Sequence, residues 1–417
     1  MLDSRPQKVT MDLDTLDLFD ATVLDDPTPL YRTLRDTAPV YRVPGTDFFL
    51  VSSWKAVTEA TRRPAEFSSH LTGVLVARAG AAPVTFDLDA TGQGLHVLAT
   101  ADAEVHSVHR GIVGPALAKR VRGLGPVVTA LAERFWSGEL DGDRIDWATG
   151  MADRLPLALL AELLGLPGED VSRLLTLAYD STEMLGGVVA EDRMPALIAS
   201  ATELAHYAYL AVTGAKRRIG SPRTLLDALV AAVRAGTIDE PQAVLILVQL
   251  IGAGGESTAG LIASAARLLA TGPALQSRLR ERPDLIPAFL DEALRLESPF
   301  RGHHRHVLAD TRLDGVDLPA GSHLLLLWGA ANRDPVAYPD PDVVAFDRPR
   351  GRAHAAFGAG AHFCIGSALA RLEATAAITL LLERTESFTL IDAEPPRWVP
   401  SLFVRRHVTL PLRIICR

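Results

Sequence analysis

Residues 356–366 read AFGAGAHFCIG, and how this stretch is read decides the rest. Gly358, Gly360 and Gly366 surround a single cysteine, Cys364. Glycines so placed let a backbone turn tightly or lie close against a flat group. Such a loop can present a thiolate while its amides point toward sulfur and lower the cost of the bare charge. A lone cysteine in an apolar loop is ordinarily a buried small hydrophobe, so its surroundings must choose between the two readings. The other cysteine, Cys416, is the penultimate residue, and no structural disulfide or four-cysteine metal site can be assembled convincingly from that inventory.

Upstream, residues 241–271 can form one helix of about 30 residues, roughly 45 Å long. A chain of this size has a radius of gyration of only about 22 Å, so such a helix crosses the whole molecule. It is apolar around much of its circumference, which implies burial. The segment Ala253-Gly254-Gly255-Glu256-Ser257-Thr258 in its middle therefore needs an explanation, because buried polar groups must be paired or functional. An acid followed by hydroxyls can deliver protons through water. The competing explanation is structural: glycines permit close helix packing, and a hydroxyl can bond back to the preceding turn.

A third element is Glu292-Ala-Leu-Arg295, whose acid and base share a helix face. Elsewhere, helical patterns dominate from His106 to Arg295, with breaks near Gly165 to Pro167, Gly186 to Gly187, Gly220 to Pro222 and Thr237 to Pro241. Strand-like pieces occur in TDFFLVSS near residue 50, twice after Pro299 around a Gly-containing turn, and near the C-terminal end. Short helices are expected at Pro29 to Asp36 and at 54–62. Residues Ser68 to Thr100, rich in Gly, Ala and Thr, are expected to form a long loop with short pieces of helix. No internal repeat or low-complexity tract is present, so a solenoid is unsupported.

Hydrophobic residues are 48% and charged residues 22% of 417, the balance of a compact globular chain. The formal charge of −8 gives no global positive field for nucleic acid. The acidic start lacks the basic and apolar regions of a secretory signal, so a cytoplasmic location is expected. The most hydrophobic long segment is interrupted by Gly252, Gly254, Gly255 and Glu256, which argues against a membrane span.

Phe357, Gly360, His362, Cys364 and Gly366 match F-x-x-G-x-x-x-C-x-G, and through them the chain resembles the cytochrome P-450 family. The Glu292/Arg295 pair, with Arg348 as a looser third member, resembles that family's K-helix network. Residues 253–258 resemble its oxygen-binding segment, although Ser257 stands where threonine is usual. Phe67-Ser68-Ser69 and Ala331-Asn332-Arg333-Asp334-Pro335 extend the resemblance over roughly residues 20–415. The resemblance implies a mainly α fold, a helix-rich domain with a small β-rich lobe, in a single unit over 1–417. Within it, 241–271 would be the distal helix and 356–371 the proximal loop and following helix.

The same resemblance implies haem b (iron protoporphyrin IX) with Cys364 as its axial ligand, thiolate donation promoting O–O cleavage. Cofactor-binding residues carried over are His106, Arg110, Ala253, Gly254, Arg305, Phe357, His362 and Gly366, with His106, Arg110, Arg305 and His362 facing the propionates. Glu256, Ser257 and Thr258 would be catalytic, with Ser257 holding the principal hydroxyl. The implied reaction is monooxygenation of an apolar or mixed-polarity organic molecule by O2. Electrons would come from a ferredoxin or flavodoxin and its NAD(P)H-dependent reductase, docking near Arg110, Lys119, Arg120, Arg122 and Arg371. A peroxide-driven oxygenase or a haem-dependent isomerase of the same fold is the alternative. His303 and His304 are read as a solvated loop rather than as zinc ligands. Apolar pocket contacts are expected from Leu71, Val74, Leu75, Val76, Phe86 and Leu95, and from Met184, Leu185 and Val188.

Overall fold

The computed structural model describes residues 11–13, 16–217, 223–348 and 354–417. The expected break at Gly220 to Pro222 lies outside the described residues. The organising element is the helix Glu240–Ala270, 31 residues long. Its start is set by a reciprocal cap: Asp239 accepts from the Gln242 amide at 2.7 Å, and the Gln242 side chain accepts from the Asp239 amide at 2.9 Å. This helix is long and apolar enough to cross a membrane by length and composition. Here it is a core helix instead, packed against the helices Arg154–Leu164, Val171–Glu183, Met194–Ala215 and Ser367–Arg384. Its buried side chains join Trp147, Met151 and Phe289 in the largest of three apolar clusters.

The strand-rich part is a five-stranded sheet in the order Val40–Arg42, Phe48–Val51, His323–Leu326, His303–Val307, Phe67–Ser68. The Phe48–Val51 and His323–Leu326 pair is parallel, and the other neighbours are antiparallel. Alternation along these strands feeds two further cores. Phe49, Val51, Leu324 and Leu326 join Trp328 on one face, whereas Phe48, Leu50, Leu325 and Leu327 join Tyr31 and Leu34 on the other. The apolar runs that looked like uninterrupted strands are buried on both sides for this reason. The hairpin Thr311–Leu313/Val316–Leu318 turns at Asp314-Gly315, both with positive φ, the backbone that a two-residue hairpin loop requires.

Two expectations need correction. Residues 68–100 are not a loop with helical pieces throughout: Gly73–Arg78 and Ala81–Asp87 pair as an antiparallel hairpin around Ala79-Gly80. The β-branched residues Val74, Val76, Val84 and Thr85 favour this pairing, but the intervening alanines and glycines blur the alternation in the sequence. The helical run also contains a three-residue strand, Arg144–Asp146, which completes a sheet with Thr385–Leu390 and Pro411–Cys416. It is too short to leave a periodic signal.

The hairpin is tied down at its far end. The Ala77 amide donates to the Gly187 carbonyl at 2.8 Å, and the Leu402 amide donates to that of Gly186 at 2.9 Å. Gly187 has φ +76, and a β-carbon there would lie 2.3 Å from the Leu75 carbonyl oxygen. The Gly186-Gly187 break in the helical pattern is thus the junction where the hairpin and the C-terminal loop meet.

Candidate active site

The loop before the helix Ser367–Arg384 folds around its cysteine. The Cys364 amide donates to the Phe357 carbonyl at 2.8 Å, closing a tight loop. Gly360 has φ +68 and no room for a side chain, since a β-carbon would stand 3.0 Å from the Thr61 carbonyl oxygen. Burial pushes the Cys364 thiol up. The amides of Gly366 and Ser367, at the positive end of the following helix, and the charges of Arg110 and Arg371 oppose it without reversing the shift. A metal cation at the sulfur would supply what these groups lack, because a coordinating thiol is deprotonated outright.

Cys364 opens onto a cavity holding about 1320 Å3 of space not filled by protein atoms, open solvent included. Its opposite wall is one stripe of the central helix: Leu250, Ala253, Gly254, Ser257, Thr258 and Leu261, at three- and four-residue spacing. Phe357, Gly358, Ile365 and Gly366 form the near wall. Ser257 donates its hydroxyl to the Ala253 carbonyl at 2.8 Å, which leaves its lone pairs free to accept. Gly254 serves packing as well as access, for a β-carbon there would meet Leu160 Cδ2 at 2.9 Å.

One end of the cavity is cationic. His106 and Arg110, one turn apart on the helix Ala103–Val121, meet Arg305 and His362 there. The His106 and His362 rings lie 4.0 Å apart, and His362 shares a hydrogen bond of 3.0 Å with the Ser69 hydroxyl. Burial, then the neighbouring His106 and Arg305, lower the His362 pKa to about 4. Arg305 is buried and donates to the His304 carbonyl at 2.7 Å. Among the described residues neither Arg110 nor Arg305 forms an ion pair with a carboxylate. A buried guanidinium without an anion is costly, so this end of the cavity is suited to a ligand that brings carboxylates.

Glu256 faces elsewhere. One residue off the cavity stripe, it points into a second cavity of about 640 Å3. There it accepts from the Thr182 hydroxyl and, at 3.1 Å, from Arg406 Nε. Arg406 also lies 3.7 Å from Asp153, which accepts from the Tyr179 hydroxyl at 2.7 Å. Burial raises the pKa of both acids, Asp153 to about 6, against the pull of Arg406.

Glu292 and Arg295 form a two-pronged pair with both contacts at 2.8 Å, and Arg348 adds a third arm at 3.0 Å. Arg295 further donates to the carbonyls of Asn332, Pro341 and Val343, locking its helix to the segment before the cysteine loop.

A family model described as cytochrome P450 matches residues 205–397. Cytochrome P450 144 of Mycobacterium tuberculosis is 43% identical over 408 residues, spanning 97% of this chain and 93% of the relative. The chain is a cytochrome P450. As a P450 it is a haem-thiolate monooxygenase, acting with O2 on a small organic substrate. The β-dihydromenaquinone-9 omega-hydroxylase of Mycobacterium bovis is 30% identical, over 98% of this chain and 80% of that one. A P450 from Bacillus megaterium, solved with testosterone, superposes with a TM-score of 0.82 at 26% identity, covering 94% of this chain and 99% of the other.

All nine residues expected to touch the cofactor line the main cavity of this P450, and so do Ser257 and Thr258. Two other expectations fail. His303 and His304 do not form a solvated loop: they lie in a sheet strand, His304 buried and His303 half-buried, and desolvation lowers the pKa of each to about 3. None of the nine apolar residues expected in the pocket lines the main cavity, and only Val188 reaches the second one. Arg120 is engaged by the carbonyls of Ala116, Arg223 and Thr224, and Arg371 pairs with Asp291 at 3.0 Å. The sequence reading also missed His303, Gln249 and Phe300 in the cavity wall and Arg406 beside Glu256. Only His303 carried a usable signal, standing two residues before Arg305 in a strand and so on the same face.

Proposed function

We propose that Cys364 would hold the iron of haem b through its sulfur, with His106, Arg110, Arg305 and His362 placed to neutralise its propionates and Ala253 and Gly254 lining the cavity wall across from the sulfur. The observation that carries this reading is the cavity itself: a cysteine with amides at its sulfur on one wall, a helical stripe opposite, and at one end guanidinium groups that form no ion pair with a carboxylate among the described residues. Haem bound there supplies the redox and oxygen chemistry, while the protein supplies position, dryness and electrostatics. Ser257 holds a proton at Oγ on the cavity side. Glu256 takes up protons on the side of the second cavity, and Thr182 and Arg406 position its carboxylate.

Electrons come from a ferredoxin or flavodoxin served by an NAD(P)H-dependent reductase, in the cytoplasm. Lys119 remains a better docking candidate than Arg120 and Arg371, whose guanidinium groups are engaged within the chain, while Arg122 donates through Nε alone, to the Ala118 carbonyl at 3.4 Å. The substrate is an apolar or mixed-polarity molecule of the lipid, terpene or polyketide kind. The apolar cavity wall supports this, as do relatives named for a menaquinone and solved with a steroid.

Reduced protein with carbon monoxide should show the long-wavelength Soret band that thiolate ligation gives. A folded Cys364→Ser protein that keeps the same band sinks the assignment. NADH consumption with added carriers, compared with peroxide-supported turnover, separates the monooxygenase from a peroxide-driven enzyme. A screen for loss of the iron's water ligand on substrate addition identifies the substrate class.

A further inference from the structure

His303 is the one cavity-lining side chain of its strand besides Arg305, and nothing above gives it a role. The two residues are two apart in the strand His303–Val307, so their side chains leave the same face, while His304 and His306 leave the other. The ring of His303 is held on three sides: by Phe300 at 5.3 Å, by Phe403 at 5.6 Å and by Trp328 at 5.9 Å between centroids. The Trp328 indole N–H donates to His303 Nδ1 at 2.7 Å.

That bond fixes the protonation of the ring. An indole nitrogen can only donate, so His303 Nδ1 must be the unprotonated nitrogen. The doubly protonated ring would set two N–H groups head to head and is excluded. A neutral ring with a bare Nδ1 carries its proton on Nε2. The neighbouring charges agree: after burial, Arg305, His304 and His362 are the groups that oppose a charge on His303. Among the described residues, Nε2 has no acceptor. The half-buried residue lines the same cavity as Arg305 and His362, close enough for their charges to act on its ring.

We propose that Trp328 locks His303 in the tautomer whose Nε2–H donates to a haem propionate beside Arg305. His303 thus contributes a neutral donor next to a guanidinium, giving a carboxylate a second hydrogen bond without adding repulsion among the cations. Trp328 is a positioning residue that acts through His303. The inference rests on the haem reading above, since it needs a carboxylate in the cavity.

The test uses the holoprotein and reads haem retention and tautomer rather than turnover. Haem transfer to excess apomyoglobin should be roughly tenfold or more faster in His303→Phe, the expected loss of one hydrogen bond to a charged acceptor. His303→Gln, which keeps a donor, should stay within about threefold of the unsubstituted protein, and Trp328→Phe should fall between the two. Proton–nitrogen spectra of the reduced carbon monoxide complex, diamagnetic and labelled at histidine nitrogens, should show His303 protonated at Nε2 alone. Trp328→Phe should turn that signal into a tautomer mixture. A proton on Nδ1 in the unsubstituted protein overturns the inference whether or not His303→Phe folds. So does a His303→Phe protein that keeps both the thiolate band and the original transfer rate. Absence of the thiolate band from the unsubstituted protein fails earlier, overturning the haem reading and this inference with it.

Discussion

Two buried glutamates on neighbouring helices meet opposite fates. Glu292 is 6% exposed and Glu256 is 2% exposed, so burial alone cannot separate them. Burial pushes the Glu292 carboxyl up, but Arg295, the Ala345 amide and Arg348 together outweigh it, and its pKa ends below the usual value. At Glu256 burial wins: Arg406 and the Thr182 hydroxyl oppose it, and the pKa still ends above the usual value. The difference lies in the ratio of cations to acids. Glu292 has two guanidinium groups, whereas Glu256 shares one with Asp153. The first arrangement fixes a charge and ties segments together. The second leaves acids that can gain and lose a proton, which suits the proton uptake proposed for Glu256.

The largest effect should come from breaking the first cluster. Arg295→Leu strands Glu292 beside Arg348 and releases three carbonyls, a buried-pair disruption worth about 3–5 kcal/mol. Denaturant unfolding of the haem-loaded protein should show that loss. Arg348→Leu, which leaves the two-pronged pair intact, should cost clearly less. If the two variants are equally stable, Arg295 is not the keystone of the cluster.

The next effect is a difference of sign with pH. The raised Asp153 pKa means the folded state holds its proton more tightly, so its contribution to stability declines as pH climbs from 3.8 to about 6. That shift of about two pH units corresponds to something on the order of 3 kcal/mol. Glu292 acts the other way: its contribution is present above 4.5 and disappears as pH falls through its lower folded pKa. Asp153→Asn should therefore make the unfolding free energy rise more steeply, or fall less, between those limits. Glu292→Gln should flatten the acid-side rise. Parallel slopes in the two variants would refute the contrast.

Third in size is the proton supply. Glu256→Gln keeps a partner for Thr182 and removes the titrating group, and product formation should drop roughly a hundredfold, the lower range for general acid–base groups. Glu292→Gln should affect holoprotein yield more than turnover per haem. A Glu256→Gln enzyme at full rate would mean that the second cluster is only structural.

How far this contrast could be read from sequence depends on distance along the chain. The cysteine loop and the Glu292/Arg295 pair were legible because each lies within one local stretch whose spacing fixes its geometry. The strands near 48–51 and 323–326 were legible from their apolar runs. Glu256 itself was legible, but its environment was not: Arg406 is 150 residues away, Thr182 comes from another helix, and Asp153, reached through Arg406, lies in the turn before a third. The hairpin 73–87 was hidden by small residues, and with it the reason that Leu75 packs under Gly187 rather than in the cavity. Burial of His304 and half-burial of His303 depended on Phe300 just before them and on Phe48, Trp328 and Phe403 converging from three other segments.

The smallest effect sharpens the comparison at the helix itself, where Glu256 looks one way and the adjacent hydroxyl looks the other. Ser257 and Thr258 both border the main cavity, about 100 degrees apart around the helix. Ser257 donates to the Ala253 carbonyl one turn back, so its oxygen is fixed and still able to accept from water. Lacking the methyl of threonine, it holds its rotamer less tightly than threonine would. Ser257→Ala should leave haem and carbon monoxide binding intact but divert reducing equivalents to hydrogen peroxide, lowering product per NADH by roughly a few-fold to tenfold, short of the full value of an acid–base group. Thr258→Ala should divert less, and Ser257→Thr should restore coupling or improve it. The comparison needs the true substrate and a saturating electron carrier. Unchanged coupling in Ser257→Ala with collapse in Thr258→Ala would move the working hydroxyl by one position. Full coupling in both would leave Glu256 and ordered water as the proton path, with neither hydroxyl required.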